Sequence, residues 1–499
     1  MRILTLWLLV LGAVCPAQAF LMAPSPSLQK TTEDSDLVFK GVALENVDVE
    51  DAELKDGGFK AQETRFRVLS ILKGEAGAEV TFRSFRPAPA TVFGWTPQFY
   101  DFKVGAPYVV WAKRGADGRL RQTVRSITFG IKDPGACRAG DELPAQGEVG
   151  AVMWREWNTL LASKESEDVV YALDHLAGFS SGDRFRDKAD FKAEEVRPLV
   201  QPFLRSDDPQ ILQAAIKAAQ ATGVKDSLDS LLAVAASPAP AKERAQAIDT
   251  LRDQKDPRVE ATMQRLLDEP GGAPEVQIAA LGVLGGWNNA SNRARVLRFV
   301  SSPAREVRAA SARAMGQMND ESLWPTLLQL TKDPDDWVQR EAFGAFAQAK
   351  SPSVRPYWEK LRLVASVQPL FTVLLAKDQP ERYLLDLERI VRTDAPVAIS
   401  GEIPTYTAWH LLFDYLQKQP AAAWPSSRIQ SLLSAMESGP KYFWSSSAPE
   451  SLYKLERQKG QEARALAFRA KQEKSVGYDM GFFFKRADDD LARENLNHN

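Results

Sequence analysis

A chain of 499 residues that is 44% hydrophobic and 26% charged is a folded protein too long for a single core. About three domains is the ordinary expectation for that length. Lys and Arg total 63 against 65 for Asp and Glu, a net charge of −2. That balance argues against a general nucleic-acid binder, which needs a basic face to displace counterions, and leaves open only a local basic patch.

The chain begins MRILTLWLLVLGAVCPAQAF. Arg2 supplies a short positive start, Ile3 to Val14 an apolar stretch, and Ala17-Gln18-Ala19 a small-x-small cleavage site. The pattern predicts a signal peptide over residues 1–19, with Phe20 opening the mature chain. The apolar run is short for a membrane span, and Val14 stands before Cys15 where a lipoprotein signal needs a small residue. Cleavage removes Cys15 and leaves Cys137 alone, so no intramolecular disulfide is expected. Export with so little cysteine fits a bacterial periplasmic or secreted protein. Cys137 reads as a buried small apolar residue, with a reactive thiol as the alternative. No later segment is apolar enough to cross a membrane.

Residues 20–148 read as a β domain. Period-two runs predict strands over Leu37–Leu44, Thr64–Leu72, Glu79–Phe85 and Pro107–Ala112. GADG, Gly115 to Gly118, reads as a hairpin turn before a short strand, LRQTV. The positions Phe39, Gly41, Phe66, Val68, Leu72, Lys73, Gly74, Phe102, Gly105, Tyr108 and Trp111 carry a resemblance. With them, Asp36 to about Thr123 resembles the netrin-like, inhibitor-of-metalloproteinase type of OB barrel. The resemblance implies a small Greek-key barrel that binds proteins or other ligands. The family's inhibitors chelate a protease zinc through an N-terminal Cys, and their paired cysteines are absent here, so inhibition by that route is not expected. Asp48, Glu50, Asp51, Glu53 and Asp56 cluster between the first two strands. Their spacing matches no EF-hand, and they read as solvated loop acids rather than a calcium site.

Residues 149–192 read as a helical connector, with Trp154, Trp157, Leu160 and Leu161 at helical spacing and a loop near Phe179 to Asp190. Residues 193–366 repeat. KDPDDWVQREAFGAFAQ, Lys332 to Gln348, has counterparts in which Ile211, Glu243, Val276, Val307 and Val338 recur every 31 to 33 residues. Four residues later come Ala215, Ala247, Ala280, Ser311 and Ala342, and eight later Ala219, Leu251, Leu284, Met315 and Phe346. The spacing predicts one buried stripe per helix, with a small middle residue that lets a neighbour approach. A second apolar helix follows each first one, and Asp208-Pro209, Ala273-Pro274, Ser302-Pro303 and Asp333-Pro334 punctuate the joins. This pattern resembles the HEAT-repeat family, an α-solenoid in which stacked pairs cover each other and present an extended binding surface. Residues 367–499 read as irregular helices with a polar tail. The expected fold class is therefore multidomain α+β: a small OB-like β barrel followed by an all-α HEAT-like solenoid.

No catalytic constellation emerges. His175, His410 and His498 lack ligand spacing, and Ser27-Leu28-Gln29-Lys30 matches S-x-x-K without its companion motifs. Asn289-Ala290-Ser291 is a glycosylation sequon. Neither a cofactor nor a metal is expected. Arg293, Arg295, Arg298, Arg305, Arg308 and Arg313 cluster on two repeats, either facing an acidic partner or pairing locally with Glu306, Asp320 and Glu321. Trp287, Trp324, Trp337 and Trp358 recur as core or interface residues. Arg305, Arg308, Trp337 and Arg340 are the candidate partner-binding residues. The sequence thus points to an exported, non-enzymatic scaffold that holds a protein partner on the concave face of the solenoid. Two alternatives stand beside it: an accessory or inhibitory subunit of an envelope enzyme, docking through the barrel, and a hydrolase without a recognisable motif.

Overall fold

The computed structural model describes residues 27–50, 59–87, 100–122, 135–180, 189–393, 403–438, 448–475 and 481–497. The signal-peptide expectation, most of the acidic cluster and His498 lie outside the described residues. The chain divides into two compact units, Ala19–Val283 and Leu284–Asn499, and the division falls within the repeats.

In the first unit, α1 (Leu28–Asp34) precedes β1 (Leu37–Val49), β2 (Phe59–Lys73), β3 (Glu79–Pro87), β4 (Pro107–Arg114), β5 (Leu120–Gln122) and β6 (Ala136–Arg138). The strands pair in the order β1-β2-β3-β5-β4, and β4 returns to β1, which closes a five-stranded ring with OB connectivity. β3 and β5 run parallel; the other pairs are antiparallel. β6, which the sequence reading lacks, extends the edge of β4 beside β5. Gly74, with φ +79°, ends β2 against the chain: a Cβ there would stand 2.4 Å from the Asp36 carbonyl oxygen.

Alternation fills the barrel. Phe39, Phe66, Phe82, Phe102 and Tyr108 point inward, with Phe66 and Phe102 edge-to-face at 5.1 Å. The other face of β1 and β4 is buried too. Trp111 donates its indole N–H to Thr32 Oγ1 (2.9 Å), and Lys73 Nζ donates to the Thr32 and Glu33 carbonyls. The S-x-x-K stretch is thus a helix start: Ser27 Oγ accepts from the Lys30 N–H at 3.1 Å and caps α1.

Lys40 also points out of the barrel and is wholly buried. Its ammonium lies 2.9 Å from both carboxylate oxygens of Glu156 on α2 (Val149–Leu161), and 2.7 Å from Asp141 Oδ1. The Gly140 N–H also donates to Glu156 (3.0 Å). Burial pushes the Asp141 carboxyl up, but the Lys40 ammonium and the Leu143 N–H outweigh it and hold the group below its ordinary value. α2 packs with α3 (Ser166–Ser180), and α3 packs on α5 (Pro209–Thr222) after α4 (Ala193–Val200). The 149–192 connector thus adds a helix pair to the repeat stack.

The repeats follow as α6 (Leu228–Ala236), α7 (Ala241–Thr250), α8 (Pro257–Asp268) and α9 (Pro274–Leu284), then, in the second unit, α10 (Ala290–Arg298), α11 (Arg305–Met318), α12 (Trp324–Leu330), α13 (Asp336–Gln348) and α14 (Arg355–Leu361). The stripe is buried as its spacing predicts. Ala215, Ala247, Ala280, Ser311 and Ala342 are all fully buried, and so are Ala219, Leu251, Leu284, Met315 and Phe346. Ile211 is half-buried, and Glu243 occupies its slot buried. Asp208, Asp256 and Asp335 cap α5, α8 and α13 with their carboxylates. Pro209 and Pro274 stand in the first turn, whereas Pro303 and Pro334 lie one residue ahead of the caps Ala304 and Asp335.

The second unit continues through α15 (Gln368–Ala376), α16 (Leu384–Thr393), α17 (Pro404–Lys418), α18 (Ser427–Glu437), α19 (Ala448–Gln458), α20 (Glu462–Ser475) and α21 (Gly481–Asn497) around a shared core that includes Leu387, Leu412, Leu432 and Tyr453.

The Lys40 contacts yield a test. Lys40→Met leaves the Glu156 carboxylate buried without its cation and is expected to cost ~3–5 kcal/mol in denaturant unfolding, while the double variant Lys40→Met/Glu156→Leu recovers a large part of that loss. Equal loss in the single and double variants would contradict the role assigned to the pair.

Candidate protein-docking surface

Three of the four candidate residues meet where α11 and α13 begin. Asp335 caps α13 by accepting from the Trp337 N–H at 2.9 Å, which fixes Trp337 in the first turn. Trp337 is 39% exposed. Its indole N–H donates to Glu341 Oε1 (3.2 Å) one turn on, and Glu341 pairs with Arg313 of the preceding repeat at 3.0 Å. The Arg305 guanidinium stands 6.0 Å from the centre of the Trp337 ring. Arg305 also pairs with Glu306 (2.9 Å) and, across the repeat, with Asp335 (3.2 Å). The Glu306 carboxyl is held low by its hydrogen bond from Arg305. Burial pushes Asp335 up, but the Trp337 N–H and Arg305 outweigh it and keep the carboxyl below its usual range.

Arg340 lies one turn along α13 from Trp337, so the two share a helix face. It is exposed, and among the described residues no carboxylate pairs with it. The patch is therefore a half-exposed indole flanked by one guanidinium held in place and one free. It belongs to the first helices of two successive repeats.

Arg308 has a different place. Its Nε and Nη2 grip Asp333 at 2.8 and 2.9 Å, and its Nη1 donates to the Ser302 carbonyl at 2.9 Å. With side-chain exposures of 15% and 6%, the Arg308–Asp333 pair is a strut between repeats, not part of the exposed patch. The Arg308 guanidinium, its largest influence, holds the Asp333 carboxyl below its ordinary value. Arg293 behaves alike, reaching Asp320 at 3.0 Å. The arginine cluster in the sequence thus resolves into ties whose acceptors mostly belong to the following repeat. Trp324 is core, and Trp358 donates its indole N–H to the Phe346 carbonyl at 2.8 Å.

The remaining candidates are structural where they are described. Cys137 is buried on β6. His175 stacks on Tyr171 within α3 at 3.8 Å. His410 packs against Tyr406 and Trp409 in α17, and burial pushes its imidazole below the usual value. Asn289 of the sequon caps α10 by accepting from the Asn292 N–H. Among the described residues, no three His, Cys, Asp or Glu side chains gather as metal ligands. No helix among them is long and apolar enough to cross a membrane. The sequence reading missed the Lys40–Glu156 pair, although a lysine inside the apolar run LVFKGVAL was its visible signal.

The buried stripes, the Asp caps and the struts between repeats agree with a family match. The family model for HEAT repeats matches residues 259–347. This segment consists of HEAT repeats. The segment contains Arg305, Trp337 and Arg340, and the HEAT framework explains why Arg305 and Trp337 meet: equivalent ends of consecutive first helices lie side by side. No curated protein matches the chain. Among solved structures, the complex of CpcE and CpcF of phycocyanin lyase from Nostoc sp. PCC7120 is similar at 17% identity and a TM-score of 0.31, over 60% of this chain and 98% of that one.

Arg308→Met strands Asp333, which is only 8% exposed, and is expected to lower stability by ~1–3 kcal/mol at neutral pH. The folded carboxyl has the lower pKa, so its contribution is present above the unfolded value near pH ~4 and lost as the pH falls through the folded one. The gap between wild type and Arg308→Met in denaturant melts should accordingly narrow below about pH 4.

Proposed function

We propose that this protein is an exported, non-enzymatic scaffold that docks a protein partner on its HEAT repeats through the patch of Trp337, Arg305 and Arg340. The observation that carries this reading is the half-exposed Trp337 indole under the Arg305 guanidinium, with Arg340 free beside it. Tryptophan and arginine dominate the energetics of protein interfaces, the first as a large rigid anchor and the second as a planar donor of several hydrogen bonds. Arg305 is already positioned by Glu306 and Asp335, so little further ordering is needed on binding. Arg340 supplies the charge that selects an acidic counterpart. Because the patch sits on first helices, the docking face in this reading is the face those first helices present. Export to a bacterial periplasm or beyond rests on the first 19 residues of the sequence.

A second reading, an accessory subunit of an envelope enzyme that docks through its barrel, draws support from the buried Lys40–Glu156 pair. That pair fastens the barrel to the first helices, so force or geometry imposed on one reaches the other.

Affinity purification of the tagged chain from its native envelope distinguishes the two. A stoichiometric partner retained by wild type and by the control Leu385→Ala, at a 75% exposed position of α16, but lost by Trp337→Ala and weakened about tenfold by Arg340→Glu, is the expected result. A partner that survives Trp337→Ala, but not substitution on the barrel, contradicts the docking patch and favours the second reading. The export reading predicts a mature N-terminus at Phe20 in intact-mass measurement; a retained Met1 would contradict it.

A further inference from the structure

A cleft of about 240 Å³ opens in the first unit between the barrel and α3. Glu167, Tyr171 and His175 recur every four residues along α3, so one stripe of that helix forms one wall. Tyr108 of β4, Arg138 of β6 and Lys103, in the loop before β4, form the other. Tyr171 and His175 stack on each other at 3.8 Å, with Arg138 over Tyr171 and Phe179 beside His175, so that wall presents aromatic ring edges to the cleft. The volume is below the ~300–1,000 Å³ of drug-sized sites, so the occupant is small.

The charges converge on one point. Lys103 Nζ lies 2.7 and 2.6 Å from the two oxygens of Glu167, and Arg138 Nη1 lies 3.6 Å from Oε1. The Glu167 side chain is 67% exposed and that of Lys103 is 54% exposed. Exposed pairs of this kind contribute little to stability, so swinging the Glu167 carboxylate out costs little. Arg138 would stay behind. Its side chain is 19% exposed, its Nη2 pairs with Asp168 at 2.5 Å, and its guanidinium lies 5.8 Å from the Tyr171 ring centre. The Tyr108 hydroxyl accepts from the Lys103 N–H at 2.8 Å and keeps its own proton to give; burial pushes its pKa up, which preserves that proton.

We propose that this cleft is a binding site for a small carboxylate with an apolar body, and that Glu167 occupies the place of that carboxylate when the site is free. Lys103, Arg138 and the Tyr108 hydroxyl receive the carboxylate, and the Tyr171–His175 wall receives the body. Glu167 is then a built-in competitor: removing its charge raises the fraction of protein ready to bind, and apparent affinity rises in proportion. The proposal is independent of the Trp337 patch, which lies in the other unit.

The test is calorimetric titration of the full-length protein with benzoate, its uncharged isostere benzamide and the cation benzylammonium. Benzoate is expected to bind wild type weakly, Glu167→Gln about tenfold more tightly and Lys103→Met several-fold more weakly, with benzamide failing to bind any of them. Both substituted positions are exposed, so thermal melts of the variants should match wild type. Equal affinity of wild type and Glu167→Gln for benzoate would overturn the proposal. So would equal binding of benzoate and benzamide, absence of benzoate binding to both proteins, or a preference for benzylammonium, which would mark Asp101 at the mouth as the charge that matters.

Discussion

No helix pair in the repeat region can cover its own apolar stripe, and everything else in this molecule follows from how neighbours do so. Ala280, Ser311 and Ala342 stand in the middle of their first helices with no exposed surface. A larger residue there would hold the next helix off and leave the flanking Val307, Met315 and Phe346 facing a gap. Gly316 marks a point of close approach, since a Cβ at that position would lie 2.5 Å from the Ala345 Cβ. Close packing of α11 on α13 is thus set by small residues, and the burial of the large ones depends on it.

Polar contacts then decide register rather than bulk stability. A buried ion pair is a poor source of net stability, because desolvation consumes much of the attraction, but breaking it is costly. Arg308 and Asp333 use that asymmetry between repeats: any slip of one helix pair along the next would strand both charges. Asn319, at φ +51°, does the same with neutral groups, ending α11 while its side chain accepts from the Lys350 and Ser351 N–H groups of the following repeat. At the other end of the chain Lys40, Glu156 and Asp141 lock the barrel to α2. Against this fixed frame, the exposed charges stand out. Arg340 and the Lys103–Glu167 pair are exposed and are tied to nothing that folding requires, which is why the two binding proposals rest on them.

Much of the fold is legible in the sequence because it is periodic. The apolar residues of the HEAT segment and of β1, β2 and β4 declare their faces through spacing alone, and the Asp-Pro steps declare the joins. What escapes is whatever depends on residues distant in the chain. Lys40 and Glu156 are separated by 116 positions, so no local pattern pairs them. Glu306 and Asp320, named from the sequence, do pair with Arg305 and Arg293, but Asp333, Asp335 and Glu341, 25 to 30 residues from their arginines in the next repeat, were not legible. β6 is three residues long and escapes any periodicity test. Trp337 and Arg305 are visible as residue types favoured at interfaces, but their meeting across two repeats, and the separation of Arg308 from them, needed the packing. The cleft at α3 was invisible because its walls come from β4, β6 and a helix that lie far apart in sequence.

Stacking by close approach is tested most directly at Gly316. Replacing it with Val wedges α11 from α13 without adding charge or removing a hydrogen bond. Hydrogen–deuterium exchange of the full-length protein should then show accelerated exchange in both α11 and α13, including the backbone around Val307, Phe346 and Ala342, while the barrel strands stay as protected as in wild type. Unchanged protection across both helices would contradict the account, because it would mean that these repeats do not depend on each other for burial.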